Sequence, residues 1–397
     1  MEQQRSMMMS RAMSQRSVVI RPATQETGGM MQYLLTIVFL ICAFWVVIGA
    51  LYFIYGKRGA GKTTPDDEGG VAVPACPGTA DGGKPSLLYG KMVICSVRQD
   101  SSQNLWVRLP EGVCHVFVAL GLTQSDGSVQ EGLALSVERL RAVDGAQALV
   151  SVDYAVLTSN TDGFGRSLNT FMGNVPARFK RHFDGIEVRG IPVADYTDAS
   201  KMTALNTAIG AVKTAVSKVQ RVIATVAIPL SWKAPGGTLA KSASLTNADT
   251  TVAQIHYLPG SGSCNALPSN SISRMDEIKS VISSWDQPCI SIMLGAILYT
   301  GASGKGASAQ SCALYRYCKA ETQKASSEVI ADAKSRGKKK GGDYIIYDTP
   351  DQIQEKAGRA RDRGCLYVDH IELDDAECKC QHKEQFPLLS RVRKGLQ

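Results

Sequence analysis

The chain has 397 residues, enough for one large domain or two ordinary ones. Its 44% hydrophobic and 20% charged residues, with 37 Gly and 15 Pro, are those of an ordinary globular protein. The net charge of +8 is concentrated in an acid-poor N-terminal tail and in the run Lys334–Lys340. Charge spread in this way reads as solvated surface and flanking tails. No basic stripe interleaved with aromatics is present, so nucleic acid is set aside as a partner.

Residues 1–32 are rich in Met, Gln and Ser, carry Arg5, Arg11, Arg16 and Arg21, and show no apolar periodicity. They read as a disordered tail. Tyr33–Tyr55 then runs without a charge. At about 1.5 Å rise per residue this stretch spans a hydrocarbon core of about 30 Å, and Tyr33, Tyr52 and Tyr55 stand near its ends, where amphipathic rings favour the interface. A cleaved signal peptide would be shorter and nearer the N-terminus, so the expectation is a single transmembrane helix acting as a signal anchor.

Arg16 and Arg21 flank one side of this span and Lys57, Arg58 and Lys62 the other, so flanking charge does not orient it. Cysteine does. Of eleven cysteines, Cys42 lies in the span and ten follow it, without paired C-x-x-C zinc spacing. An even set of that size fits an oxidised domain, placing the C-terminal part in the lumen or outside the cell. No N-x-S/T sequon follows the span to support this.

Gly56–Thr63 fits G-x-x-x-x-G-K-[ST] in full. A phosphate-cradling loop needs a strand before it and a helix after it. Here a membrane span precedes it and Thr-Pro-Asp-Asp-Glu-Gly-Gly follows, so it reads as a juxtamembrane basic linker and no nucleotide is expected. Residues 56–88 as a whole are Gly-, Pro- and Asp-rich, a linker leading to a domain at 89–397.

Within that domain short apolar runs alternate with helical patterns. The strand candidates are Met92–Val97, His115–Leu120, Ala148–Val152, Ile186–Val188, Val222–Ile228, Ala253–Tyr257, Ile290–Leu298 and Leu366–Ile371. Between them, Leu205, Ala208, Ile209, Val212, Val216 and Val219 repeat at three and four within Ser200–Arg221, as do Ile278, Val281, Ile282 and Trp285. Eight strands with intervening helices predict an α/β fold, a (β/α)8 barrel.

Several of these stretches, in order, resemble glycoside hydrolase family 18, the chitinases and chitinase-like proteins. Lys91–Cys95, Val113–Ala119 and Gln147–Val152 resemble the family's first three strands, with Asp153 and Tyr154 in place of a glycine pair. His182–Ile186 resembles the approach to its catalytic motif, and Ile290–Gly301 its seventh strand. Ile345–Lys356 resembles the segment before its last helix, and Glu372–Asp375 and Phe386–Leu389 resemble the end of the barrel. The resemblance implies a Cys95–Cys114 disulfide and a small α+β insertion between Thr300 and Tyr344, here shorter and Lys-rich. It also implies that Cys318 pairs with Cys378 or Cys380. Cys378, Cys380 and His382 are alternatively the start of a zinc site, but no further ligands stand near them, and neither metal nor cofactor is expected.

The family's motif is D-x-x-D-x-D-x-E, whose Glu protonates the glycosidic oxygen while the substrate's acetamido group attacks. The matching residues here are Asp184, Glu187, Arg189 and Ile191. Alternation along a strand predicts that the last three point into the barrel. Isoleucine has no proton to give, and general acid catalysis contributes about 10²–10⁴-fold. The sixth-strand motif reads His256-Tyr257-Leu258, keeping its tyrosine and losing its acid, and the tryptophan that floors the sugar site matches Asp369.

Ligand-binding candidates are therefore Tyr257, Asp184 and Arg189. Each has a structural alternative: Glu187 and Arg189 as a buried ion pair, Asp184 as support for the turn beside Gly185, and Tyr257 as a core ring. His256 and His370 offer a different acid–base pair that nothing in their spacing selects. The favoured reading is a membrane-anchored, catalytically inactive chitinase-like protein that binds a chitin-like glycan or a cell-surface protein. The rivals are an active family 18 hydrolase and a receptor or scaffold ectodomain without a carbohydrate role.

Overall fold

The computed structural model describes residues 91–98, 112–130, 146–174, 183–233, 237–260, 264–285, 289–361, 364–374 and 386–397. All lie in one compact unit, Ala75–Gln397. Among them no helix is long and apolar enough to cross a membrane. The tail, the expected span at 33–55, the linker, and Cys378, Cys380 and His382 fall outside the described residues.

In chain order the elements begin with β1 (Met92–Arg98), β2 (Val116–Leu120), β3 (Gln147–Asp153), α1 (Tyr154–Ser159) and α2 (Thr161–Gly173). They continue with β4 (Gly185–Pro192), α3 (Val193–Tyr196), α4 (Ala199–Ala215), β5 (Arg221–Ala227), β6 (Thr250–Gln254), β7 (Cys264–Asn265) and α5 (Ile272–Val281). Then come β8 (Cys289–Met293), β9 (Ala296–Thr300), β10 (Ser308–Ala309), β11 (Ser311–Tyr315), α6 (Tyr317–Glu321), β12 (Ser326–Ile330), β13 (Ser335–Lys340) and β14 (Asp343–Tyr347). The last are α7 (Pro350–Gly358), β15 (Cys365–Asp369) and α8 (Pro387–Leu396).

Eight strands close a barrel in the order β1-β15-β8-β6-β5-β4-β3-β2, every neighbouring pair parallel. Parallel strands covered on both faces read as near-continuous apolar runs, and MVICSVR of β1 does so. Alternate residues divide into two shells. Ile186, Val188, Val222, Ala224, Ile290 and Val368 face outward against Leu168 of α2, Leu205 and Ile209 of α4, Ile278 of α5, Ile353 of α7 and Leu389 of α8. Ile94, Val116, Val118, Leu149, Ile223, Val252 and Tyr367 fill the lumen.

Several expected elements have other bounds, among them β6, which is Thr250–Gln254 where Ala253–Tyr257 was expected, and β4, which runs on to Pro192. The periodicity predicted to run to Arg221 stops as helix at Ala215, because the chain must turn to enter β5, yet Val216 and Val219 still bury against the same shell. Ile290–Leu298, expected as one strand, is two. Gly295 adopts φ +97°, and a Cβ there would lie 2.5 Å from Leu373 Cβ. This left-handed glycine takes the chain out of the barrel and into the insertion.

That insertion is a five-stranded antiparallel sheet, ordered β11-β9-β14-β13-β12, with α6 beside it. The Lys-rich run expected on solvated surface is strand β13, and Lys338 within it is buried. Its ammonium donates to Ala320 O at 3.0 Å, Gln323 O at 3.2 Å and Glu321 O, placing a cation on the C-terminal carbonyls of α6.

A second buried lysine fastens this sheet to the barrel. Lys356 Nζ, on α7, donates to Asp348 Oδ1 at 2.6 Å, Asn270 O at 2.7 Å and Ser335 Oγ at 3.0 Å. Asn270 also bonds Asp348 Oδ2 and both main-chain groups of Met293, each at 2.8 Å. The α7 end of this link is fixed by a capping box between Thr349 and Gln352, with Pro350 in the first turn.

Cys95–Cys114 is bonded, as the resemblance implied, and Cys264–Cys312 and Cys289–Cys365 are bonded as well. Cys318 is also in a disulfide.

Removing one partner of a buried ion pair strands the other. Lys356→Ala is expected to destabilise the domain by about 3–5 kcal/mol, read as a lowered thermal midpoint of the full chain in detergent. An unchanged midpoint would show that the Asp348–Lys356 link carries no stability.

Candidate functional site at the mouth of the barrel

In parallel α/β barrels the strand C-termini carry function. Here that end of the lumen holds polar side chains on the inward pleat: Ser96, Ser151, Glu187, Arg189, Thr225, Ser291, Tyr367 and Asp369. At its centre Arg189 of β4 meets Asp369 of β15, strands four places apart in either direction around the barrel. The pair therefore crosses the lumen. Arg189 Nη1 lies 3.2 Å from Asp369 Oδ1, and Nη2 donates to Oδ2 in the bidentate manner of a guanidinium on a carboxylate.

Asp369, wholly buried, also accepts from Ser96 Oγ and from His256 Nε2 at 2.8 Å. Burial pushes its carboxyl up, but Arg189, His370 and His256 outweigh that and hold it well below the usual carboxylate range. The Arg189 guanidinium is likewise pulled down by burial and raised further by Asp369, Tyr367 and Glu187. Tyr367 donates to Glu187 Oε1 at 2.7 Å and accepts from Arg189 Nη1 at 3.0 Å. Glu187 also accepts from Ser151 Oγ at 2.7 Å and Thr225 Oγ1 at 2.9 Å, and its distance to Arg189 is 3.9 Å. The expected Glu187–Arg189 pair is thus secondary. The closer partner of Arg189 is Asp369.

Ile191 does not point into the barrel. Register with β5 slips between Val188 and Ile191, so β4 carries one extra residue, and Gly190 takes φ +75°. The bulge turns Ile191 into the outer apolar shell beside Val188, fully buried. Pro192, opposite Ala227, occupies the next inward register, again without a proton to donate.

The other candidates separate. Asp184 stands at the N-terminal end of β4, seven residues before Ile191, accepting from Ala148 N at 2.8 Å. It supports the turn and lies at the opposite end of the strand from the mouth. Tyr257 packs against the insertion's apolar cluster, with burial pushing its hydroxyl up, rather than in the lumen. Its neighbour His256 reaches Asp369 instead.

His256 and His370 do not act on one another as an acid–base pair. His256 Nε2 faces Asp369 and Nδ1 lies 2.6 Å from Ser291 Oγ. Burial, then the cations Arg189 and His370, outweigh Asp369 and lower its pKa, leaving a neutral ring that donates to Asp369 and accepts from Ser291. The order Ser291–His256–Asp369 is that of a nucleophile, base and orienting acid. Ser291 is 1% exposed and accepts the Ile255 N–H, so in this arrangement it is closed to solvent.

His370 adopts a left-handed φ of +58° at the end of β15, where the chain turns sharply. Its Nδ1 lies 2.7 Å from Glu372 Oε1, and Asp369 with Glu372 outweighs burial to raise its pKa. Glu372 Oε2 accepts the Arg98 N–H at 3.0 Å. Beside this turn a cavity of about 500 Å³ opens between the mouth and the insertion, lined by Arg98, Tyr315, Arg316, Lys319, Glu372 and Leu373 among others.

No family model matches the sequence, and no curated protein matches it. Solved structures do match. An immunomodulatory active chitinase from Trichuris suis is 14% identical with a TM-score of 0.55, covering 77% of this chain and 100% of its own. The Group IV chitinase of Ostrinia furnacalis is 11% identical with a TM-score of 0.57, covering 77% and 99%. Human YKL-39, described as a pseudo-chitinase with retained chitooligosaccharide binding, is 14% identical with a TM-score of 0.54, covering 77% and 99%.

The Asp369 carboxyl is depressed relative to its unfolded value of about 3.9. Its contribution to stability is then complete above that pH and lost as pH falls toward the folded value. The thermal midpoint should drop on acidification below about pH 4, and Asp369→Asn should flatten that drop. Equal slopes for both proteins would place the acid sensitivity elsewhere. The closed parallel barrel thus has the fold of solved chitinases and chitinase-like proteins.

Proposed function

We propose that the chain is a membrane-tethered, catalytically inactive chitinase-like protein that binds a glycan at the mouth of its barrel. The observation that carries this reading is the Arg189–Asp369 pair. At the positions where the resemblance implies an acid and an aromatic floor, a cation and a carboxylate neutralise each other across the lumen. Asp369 is ionised and has its oxygens occupied by Arg189, Ser96 and His256, so it has no proton to supply. Ile191 and Pro192 have none either. YKL-39 is a protein of this fold described as keeping chitooligosaccharide binding as a pseudo-chitinase, which supports binding without turnover as a combination the fold sustains. The uncharged run Tyr33–Tyr55 supports the tether, and the disulfides support a domain in an oxidising compartment.

The loss of the aromatic floor at Asp369 favours a second reading, a receptor or scaffold ectodomain whose partner is a protein.

The full chain in detergent is expected to give no turnover of fluorogenic chitobiose or chitotriose substrates. Ile191→Glu should not confer activity, since its side chain enters the outer apolar shell, and should destabilise by several kcal/mol through an unpaired buried carboxylate. Turnover by the natural sequence would overturn the inactive reading, and turnover gained by Ile191→Glu would overturn the bulge's role in it.

A further inference from the structure

We propose that the insertion takes an extended peptide segment of a protein partner, which adds to the free edge of β11 as a sixth strand. The inference goes beyond the glycan reading and does not depend on it. β11 ends the order β11-β9-β14-β13-β12, so it pairs with β9 on one side alone. An edge strand presents a row of main-chain N–H and C=O groups turned away from its neighbour. Among the described residues, no hydrogen bond reaches that row on Ser311–Tyr315. The cavity of about 500 Å³ beside the mouth lies along it, with Cys312, Ala313, Leu314 and Tyr315 lining it in succession. Side chains alternate between the two faces of a strand, so consecutive residues share one space where that space runs along the edge.

The trough has the dimensions of one chain. The five residues of β11, at about 3.3 Å each, give roughly 16 Å of edge, so the cavity has a cross-section of roughly 30 Å². Across from the edge stand Pro259 and Leu373, apolar contacts for the side chains of an added strand. With that wall opposite, the sheet of a second copy cannot continue the ladder, because each further strand needs about 4.8 Å more. The edge is also unprotected. Its sequence SCALY carries no charge and no proline, and its register with β9 runs without a bulge, so the usual devices against strand addition are missing. β12, at the other edge of the sheet, carries Glu328. Both ends of β11 are fixed in advance. The Cys264–Cys312 disulfide ties its start, and at its end Tyr315 O packs so close to Gly295 that a Cβ there would lie 3.1 Å away. An edge held in this way loses little freedom on binding. A peptide main chain supplies donors and acceptors in alternation at strand spacing, which a saccharide does not.

The test selects linear heptapeptides from a random display library on the full chain in detergent. The selected peptides are synthesised, and their affinity and their effect on amide hydrogen exchange are measured. Each is also made in two forms, methylated at one or the other alternate set of main-chain nitrogens, and titrated against the natural chain. The unmodified peptides are titrated against Ala313→Tyr, an exposed position where a ring fills the trough and leaves the main chain of β11 in place. The expected result is slowed exchange within Cys312–Tyr315 on binding. Affinity should fall about tenfold or more in Ala313→Tyr and in one methylated form, while the other form binds as before, since an added strand bonds its neighbour through one edge alone. Slowed exchange at β12 in place of β11 would overturn the inference. So would peptides that bind Ala313→Tyr and both methylated forms undiminished, and so would a library that yields no binding peptide. None of these results bears on the glycan reading, which the chitobiose and chitotriose substrates test separately.

Discussion

A salt bridge across the lumen is the interaction on which the upper half of this barrel depends. Arg189 and Asp369 project from strands on opposite sides of the closed sheet, Asp369 wholly buried and Arg189 largely so, where an isolated charge would be prohibitively costly. Their mutual compensation permits both to remain ionised. Around them the remaining lone pairs and protons are satisfied in turn: Ser96 and His256 on Asp369, Tyr367 on Arg189, and Ser151 and Thr225 on the neighbouring Glu187. The network draws side chains from β1, β3, β4, β5, β8 and β15 and from the residue just beyond Ile255. A fully satisfied polar layer of this kind specifies one register for the strands it joins.

The same logic fixes the insertion. Lys356 and Asp348 are a second buried pair, and Asn270, Met293 and Ser335 complete it, so the five-stranded sheet is held where it walls the mouth. Lys338 does the equivalent for α6, the segment that brings Arg316 and Lys319 to the cavity. Buried lysines thus act as fasteners, whereas an exposed one such as Lys319 belongs to the solvated surface. Composition alone does not distinguish the two.

Much of the barrel was legible in the chain because parallel strands leave apolar runs flanked by helical periodicity. All eight barrel strands fall within or across the runs that predicted them. What escaped was carried by single residues. Gly295 splits one apolar run between barrel and insertion, and Gly190 slips the pleat so that Ile191 leaves the lumen. Neither glycine announces its dihedral angle in the sequence. The site was legible in composition and not in pairing. Against the family that the sequence resembles, Arg189 and Asp369 each read as a loss, whereas in the structure they form one ion pair. Their opposite charges at equivalent ends of the fourth and eighth strands were the available signal. Short-range spacing instead favoured Glu187 as the partner, two residues away on the same strand. Long-range pairing lies beyond periodicity, which reports faces and not what stands across from them.

The central claim is that Arg189 and Asp369 form a structural pair spanning the barrel at the C-terminal ends of its strands. A double-mutant cycle tests it most directly, using Arg189→Met, Asp369→Leu and both together, with stability measured by denaturant unfolding of the full chain in detergent. The account predicts that the two single changes are each costly and that the double variant recovers much of the loss, giving a coupling energy of about 2 kcal/mol or more. Costs that simply add, within about 0.5 kcal/mol, would contradict it.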